Sequence, residues 1–357
     1  MMEMEYTTLD KISENLDSKR KPITSSDRVE GKIPYYGASG IVDYVKDYIF
    51  DESLLLVSED GANLLARSTP IAFSVTGKTW INNHAHVLRF SNENLQKFVE
   101  IYLNSISLES YVTGSAQPKL NQKVLNGIPI PVVDDSQIEI IVNSVENLKS
   151  IIELRKQELA CLDDLIKARF VEMFGDESNP MGWPVLNVED VASVSVGVVI
   201  KPAQYYTDAE HGTRAFRSLN IGPMKIKNTD WVYFSEEGNE KNSKSILKEN
   251  DLIIVRSGAP GIACVVTKEY EGCNAIDIII AHPDTSKVNP YYLCVYTNLP
   301  HGKRQIDEGT GGAAQQHFNV GKYNKLSLFL PPVEKQNEYV KFLDQVDKSK
   351  VVVASVK

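Results

Sequence analysis

The sequence repeats itself, and that repeat constrains the fold before anything else does. Gly114-Ser-Ala-Gln117-Pro-Lys119-Leu-Asn121 recurs 198 residues later as Gly312-Ala-Ala-Gln315-Gln316-His317-Phe-Asn319, and Leu54-Leu-Leu-Val57 recurs at the same distance as Leu252-Ile-Ile-Val255. Asn92, opening Asn-Glu-Asn-Leu, pairs with Asn289, opening Asn-Pro-Tyr-Tyr. Gln137-Ile-Glu139 pairs with Gln336-Asn-Glu338, and both pairs fall within one residue of the same spacing. Nearer the start the spacing drops to 177, from Leu9 to Leu186, so the second copy carries about 20 extra residues ahead of its first apolar strand. Five matches in one order, four of them at nearly one offset, predict two copies of a single structural unit.

Each copy has the same grammar. A short opening segment leads to Gly- and Asn-punctuated strands such as Ser53–Val57 and Asp251–Val255, then to a helix near Asn92–Ser105 or Asn289–Asn298. The Gly/Ala/Gln segment follows, then a Pro-rich strand, Ile128-Pro-Ile-Pro131 or Leu328-Phe-Leu-Pro-Pro332, and a closing helix. Prolines at 129 and 131 suit an edge strand. After Pro131 the apolar residues Ile141, Val145, Leu148, Ile152, Leu159, Leu162, Ile166 and Met173 step by threes and fours, with Arg155 and Arg169 interrupting. This is a coiled-coil seam, predicting one helix from about Asp135 to Phe174 that Gly175 ends. Tyr339, Leu343, Val346 and Val353 repeat the seam in the second copy, with Lys350 interrupting. That second helix is roughly half as long, which leaves open how the whole of the first is covered. The resulting division is a first domain over 1–133, a long helix over 134–175, a second domain over 176–331 and a short helix over 332–357, the two helices pairing antiparallel.

Composition removes several classes of function. The acidic opening Met1-Met2-Glu3-Met4-Glu5 leads into no apolar stretch, so no signal peptide is expected. Apolar stretches such as Ile276–Ala281 are far too short to span a bilayer. Cys161, Cys264, Cys273 and Cys294 form no Cys-x-x-Cys pair, so neither a zinc site nor a disulfide framework is indicated, and a reduced, cytoplasmic protein is expected. Asn289-Pro-Tyr-Tyr292 approaches an adenine-methylase motif but lacks the second proline, and Asn before Pro is an ordinary helix cap. His84-Ala-His86 has no accompanying carboxylate or Cys cluster and reads as buried strand. Gly309-Thr-Gly-Gly312 lacks the Lys-Ser/Thr of a phosphate loop. The net charge of −9 leaves nucleic acid open, because binding needs only a local basic face.

The order domain–helix–domain–helix resembles the specificity subunits of type I restriction-modification systems, and particular segments do too. Trp183-Pro-Val-Leu-Asn-Val-Glu-Asp-Val and, more weakly, Tyr6-Thr-Thr-Leu-Asp-Lys-Ile look like openings of a target recognition domain. Ile33-Pro-Tyr-Tyr-Gly-Ala-Ser-Gly40 and Trp80-Ile-Asn-Asn-His-Ala-His-Val87 look like segments recurrent in such domains, and the helix ending Leu165-Ile-Lys-Ala-Arg-Phe…Met-Phe174 is similar to the family's central helix. The resemblance spans essentially the whole chain. It implies an α+β protein: two similar α/β target recognition domains joined and spaced by long antiparallel coiled-coil helices. It also implies a non-catalytic reader of a bipartite, asymmetric site in double-stranded DNA. Adenine methyltransferase subunits and restriction (motor-nuclease) subunits are the implied partners, and S-adenosylmethionine, ATP and Mg²⁺ would belong to them. Two rival readings are a fused restriction-methylation enzyme, which would need a cofactor loop, and a structural coiled-coil scaffold bearing two binding lobes.

The Gly/Ala/Gln segments are the candidate DNA contacts. Ser110–Val133 contains Lys119 and Lys123 and no acid, while Gly309–Val333 contains Lys322, Lys325 and His317 and no acid, shortly after Lys303 and Arg304. Gln and Asn can read adenine edges, and Lys and Arg hold phosphate or guanine. Gln117, Lys119 and Lys123 are assigned to the first domain, with Lys303, Arg304, Gln315, Gln316, His317 and Lys322 assigned to the second. Arg256 and Ser257, in the loop matching Ser58-Glu-Asp-Gly61, are weaker candidates. The competing role for Gln117, Asn121, Gln315 and Asn319 is to cap and staple a turn.

Overall fold

The computed structural model describes residues 5–114, 117–310 and 318–355. The chain divides into two compact units, 1–153 and 154–357, with the boundary inside the long helix.

In the first unit a four-stranded antiparallel sheet contains β2 (Ser13–Asn15), β6 (Leu54–Ser58), β7 (Ala72–Val75) and β9 (Ala85–Phe90), in the order β2-β9-β6-β7. A second sheet contains β3 (Glu30–Gly37), β4 (Gly40–Val45), β5 (Phe50–Asp51) and β8 (Lys78–Ile81), in the order β4-β3-β8-β5, with β3 and β8 parallel. Strand β1 (Tyr6–Thr8) pairs with β10 (Pro129–Pro131), so the prolines lie in a two-stranded ribbon as their lack of N–H donors requires. The unbroken Leu54–Val57 run follows from burial on both faces: Leu55 and Val57 face a core shared with Phe98, Val99 and Leu103 of α1 (Glu93–Ser105), while Leu54 and Leu56 face a core shared with Phe50 and Ile81. Asn92 caps α1, its side chain accepting from the Leu95 amide. A short helix, α2 (Gln122–Asn126), precedes β10.

The second unit repeats this plan. Strands β12 (Ala192–Val196), β18 (Leu252–Val255), β19 (Ala263–Val265) and β21 (Ile278–Pro283) run in the order β12-β21-β18-β19, and β11 (Val185–Asn187) pairs with β22 (Ser327–Phe329). The other sheet is β13 (Tyr206–Thr207), β17 (Val232–Phe234), β14 (Thr213–Phe216) and β20 (Asn274–Ala275), again with one parallel pair, β14 and β20. The extra residues of this copy lie largely between β14 and β17, in an excursion carrying the small hairpin β15 (Ile221–Gly222) and β16 (Lys225–Ile226). The corresponding β3–β4 connection of the first unit is only Ala38-Ser39.

The strand match read from the sequence is one residue out of register. Leu252 and Ile254, not Ile253, share the helix-facing core of the second unit, so they correspond to Leu55 and Val57. Because a strand alternates its faces, a shift of one residue would exchange the two cores. The corrected spacing is 197, and it aligns Glu59-Asp60-Gly61 with Arg256-Ser257-Gly258.

The long helix, α3, spans Asp135–Phe174 as the periodicity predicts, and Gly175 at φ 85° ends it, its amide donating to the Val171 carbonyl. Its first turns pack through Ile138, Ile141 and Val142 on the first unit's core, and Ile166, Phe170 and Phe174 belong to the second unit's core. The middle of the predicted seam is different: Leu148 and Ile152 are exposed. After α4 (Pro290–Asn298), α5 (Pro300–Thr310) and α6 (Val320–Asn324), the helix α7 (Val333–Ser355) lies antiparallel to the end of α3. Tyr339 donates to the Ile166 carbonyl at 2.9 Å near the start of α7, and Lys350 pairs with Asp163 at 2.6 Å further along. Tyr339, Leu343, Val346 and Val353 are buried, as their spacing predicts. Among the described residues no helix is long and apolar enough to cross a membrane.

Candidate nucleic-acid interface

In both units the loops gather at the end of the central strand. In the first, Leu120 donates its amide to the Glu59 carbonyl at 2.8 Å, and Gly61 donates to the Pro118 carbonyl at 3.0 Å. Thr113 and Lys119 exchange backbone hydrogen bonds, with Gly114 at φ 87° turning the chain between them; a Cβ there would meet the Gln117 carbonyl. The described ends of the Gly/Ala/Gln segment are therefore pinned, at Thr113 on one side and at Pro118–Leu120 on the other. In the second unit Phe318 donates to the Arg256 carbonyl at 2.9 Å, the same docking at the same position. Gly61 and Gly258, both at positive φ, occupy matched places in the two loops.

A buried polar cluster holds the first loop from beneath. Both ring nitrogens of His86 face acceptors, Nδ1 the Asp17 carboxylate at 2.5 Å and Nε2 the Leu120 carbonyl at 2.8 Å. Glu59 takes Arg20 at 2.7 Å and Lys119 at 3.2 Å. Burial opposes ionisation of Asp17, yet the hydrogen bond and charge of His86, the Val87 amide and Arg20 outweigh it and hold the carboxyl below its ordinary value. Glu59 is lowered likewise: burial opposes, and Arg20, His86 and Lys119 prevail. Asp17, Glu59 and His86 present metal-ligating atoms within 4.8 Å of one another. With Arg20 on both carboxylates, Lys119 on Glu59 and the His86 ring on Asp17, the acceptors of this ion-pair cluster are already partnered by the domain's own cations and donors. His84 is not in the strand; it precedes β9, is exposed and pairs with Asp60 at 2.9 Å.

Gln117, Lys119 and Lys123 are all exposed, and Lys123 has no acidic partner among the described residues. A cleft of about 710 Å³ is lined by Tyr35, Ser39, Asp60, Asn82, Asn83 and His84 among others, and none of the three assigned residues lines it; the segment meets it through the backbone pairing of Lys119 with Asp60. In the second unit the assigned cations serve their own domain. Arg256 pairs with Asp277 at 2.8 Å, Lys303 donates to the Pro260 carbonyl, Arg304 pairs with Glu177, and Lys322 donates to the Gly309 carbonyl. Ser257 lies in the loop between Arg256 and Gly258 and is half-buried. Gln315, Gln316 and His317 lie outside the described residues. Asn121 and Asn319 are helix caps, accepting from the Val124 and Lys322 amides, so for these two the turn-capping role is the observed one. Asn289 is likewise a cap, accepting from the Tyr291 amide with Pro290 as first helical residue.

One repeated device escaped the sequence comparison. Asn104 clamps the backbone of Ala72, and Asn298 clamps that of Ala263, each tying its helix to the edge strand beside the loop. The two residues stand 194 apart, off the main offset. Only the strand pairing reveals them as equivalent.

Two copies of one α+β domain, each presenting a pinned loop cluster at one sheet end and each followed by a helix, define a duplicated recognition module. The profile of the family described as the type I restriction modification DNA specificity domain matches residues 1–163 and again 180–352. The chain belongs to that family. It is similar to a Haemophilus influenzae protein named as a type I restriction enzyme specificity subunit, with 26% identity covering 97% of this chain and 88% of that one. It is also similar to the MjaVIII specificity subunit of Methanocaldococcus jannaschii, with 21% identity over 93% of this chain and 83% of that one. Among solved structures, the type I specificity subunit from M. genitalium superposes with a TM-score of 0.58 at 13% identity, covering 100% of this chain and 95% of that chain. A structure from work on complex assembly and conformational transition of the type I system gives 0.61 at 14% identity, covering 99% and 92%. At these identities the structures speak to the fold alone.

Proposed function

We propose that the chain is the sequence reader of a type I restriction-modification complex, each domain reading one half of a bipartite, asymmetric site in double-stranded DNA. The duplicated loop cluster carries this reading: the same docking recurs at Glu59 and Arg256 while the side chains around it differ. One frame with two different faces suits two different half-sites. Base edges would be read by amides such as Gln117 and Gln315, with Gln316, His317 and Ser257 as further candidates. Phosphates would be held by Lys119 and Lys123 in the first domain, whereas the Lys322 ammonium is spent on the Gly309 carbonyl. Lys303 and Arg256 brace the second loop cluster and contribute positive potential from there, while Arg304 is held by Glu177. The helical segments would set the separation of the half-sites and carry adenine methyltransferase subunits, with motor-nuclease subunits joining them. S-adenosylmethionine, ATP and Mg²⁺ belong to those partners, and this chain contributes no catalytic group.

Methylome sequencing of cells carrying this chain with its partners tests the proposal. The expected result is adenine methylation in one motif of two unlike half-sites separated by a fixed spacer. A continuous motif, or methyl transfer by the highly purified single chain, would overturn it.

A further inference from the structure

The excursion from Arg217 to Trp231 has no counterpart in the first domain, and its chemistry is unlike that of the chain around it. From Gly212 to Thr229 there are four cations, Arg214, Arg217, Lys225 and Lys227, and no acid, within a protein of net charge −9. The excursion is built as a fixed object. Ile221 is buried, and Ile226 and Trp231 pack on the same core, where Phe216 meets Trp231 edge-on at 4.8 Å. Asn220, fully buried, accepts from the Arg217 amide and donates to the Thr229 carbonyl, closing the base of the loop. The tip, Pro223-Met224, is exposed, with Met224 at φ 56° and its amide donating to the Ala263 carbonyl at 2.9 Å. Ala263 begins β19, immediately after the Arg256–Gly261 loop, so the tip stands at the sheet end that carries the loop cluster. Lys225 and Lys227 are exposed and, unlike Lys303, Arg304 and Lys322, have no ion-pair or hydrogen-bond partner for their side chains among the described residues.

We propose that this excursion is a phosphate-gripping arm of the second domain, with Lys225 and Lys227 on the DNA backbone of the second half-site. The inference rests on the second domain being a DNA reader. A rigid hairpin holds two unneutralised ammonium groups beside the loop cluster, so little ordering is lost when they meet phosphates. Phosphate contacts set position and affinity without reading sequence. In the second domain they supply what the braced cations of the loop cluster do not.

The test uses the full chain bound to its methyltransferase partner, with two probes: a duplex carrying the methylated motif and a scrambled duplex. Lys225→Gln/Lys227→Gln should weaken binding to both by about tenfold near physiological salt. It should reduce the slope of log affinity against log salt by about two units, roughly 0.9 per lost phosphate contact. Lys225→Arg/Lys227→Arg should restore both. The two single Gln variants, each expected to remove about one unit of slope, carry the test should the double variant fold poorly. An unchanged salt slope, with the parent complex still preferring its motif, overturns the arm and leaves the reader intact. A loss confined to the motif duplex overturns the phosphate assignment in favour of base reading. If the parent complex shows no preference for the motif duplex, both the reader and the arm fall.

Discussion

Replacing Phe170 with alanine tests whether the antiparallel helix pair closes the second unit. The ring is 4% exposed and sits among Phe174, Tyr292, Tyr296 and Tyr339, with centroids 5.0, 5.5, 6.0 and 5.5 Å away. Phe→Ala in a close-packed core costs about 3–5 kcal/mol in transfer and cavity terms. This site belongs at the upper end, because four aromatic partners lose edge or stacking contacts worth about 0.5–1.5 kcal/mol per pair beyond area. Phe170→Leu keeps most of the volume and should cost about 1.5 kcal/mol. Leu148→Ala is the control: it lies on the same predicted stripe of the same helix but is 59% exposed, so about 1 kcal/mol or less is at stake. Urea unfolding can be followed by Trp183, which packs on this core, in a background of Trp80→Phe and Trp231→Phe. If Phe170→Ala costs no more than Leu148→Ala, the pairing of α3 and α7 does not stabilise the second unit.

Three further outcomes are expected. Lys123→Ala should weaken binding to every duplex and lower the salt slope by about one unit, whereas Gln117→Ala should cost about 1–3 kcal/mol and relax only the first half-site, both read by titration at several salt concentrations. Inserting four residues between Leu148 and Glu153, about 6 Å of helix, should change the spacer of the methylated motif and leave its half-site bases alone; an unchanged spacer refutes the proposal that the helical segments set the half-site separation. In acid, the lowered carboxyls of Asp17 and Glu59 contribute stability that is full above their unfolded values near about 4 and is lost as pH falls through their lower folded values. Asp17→Asn should therefore flatten the acid limb of the first unit's melting temperature against pH.

Period and punctuation made most of the frame legible. The seam from Ile141 to Met173 gave the bounds of α3 because 3.6-residue periodicity survives in any context, and Asn92, Asn289 and Gly175 marked ends because capping is local chemistry. The register of β18 was not legible: Leu252-Ile-Ile-Val255 is apolar at every position, and a strand buried on both faces carries no alternation to align. The polar tie from Asp17 through His86 to Leu120 was also hidden, since it joins residues up to 103 positions apart that only folding brings together. Basic character along the sequence did point to the loop clusters. It could not say that Lys303 and Lys322 would spend their donors on carbonyls of their own domain.

That division among the cations bears on how an acidic chain can hold DNA. The long helix carries eight acids and five bases between Asp135 and Phe174, whereas Ser110–Val133, Gly212–Thr229 and Gly309–Val333 carry eight cations and no acid. The acids therefore lie outside these three segments in the sequence, and exposed charge more than about one Debye length from a contact is largely screened at physiological salt. Within the loop segments the cations do two jobs. Lys303 and Lys322 are tied to carbonyls, and Arg256 to a carboxylate, so these cations shape backbone; Lys123, Lys225 and Lys227 remain exposed with no acidic partner among the described residues. Under the proposed reading, affinity set by a few exposed lysines and specificity set by loop side chains are separable quantities. Lys123→Ala and the Lys225/Lys227 variants should thus move affinity at constant preference, while Gln117→Ala moves preference in one half-site. A single substitution that moved both equally would show that shape and charge are not divided in this way.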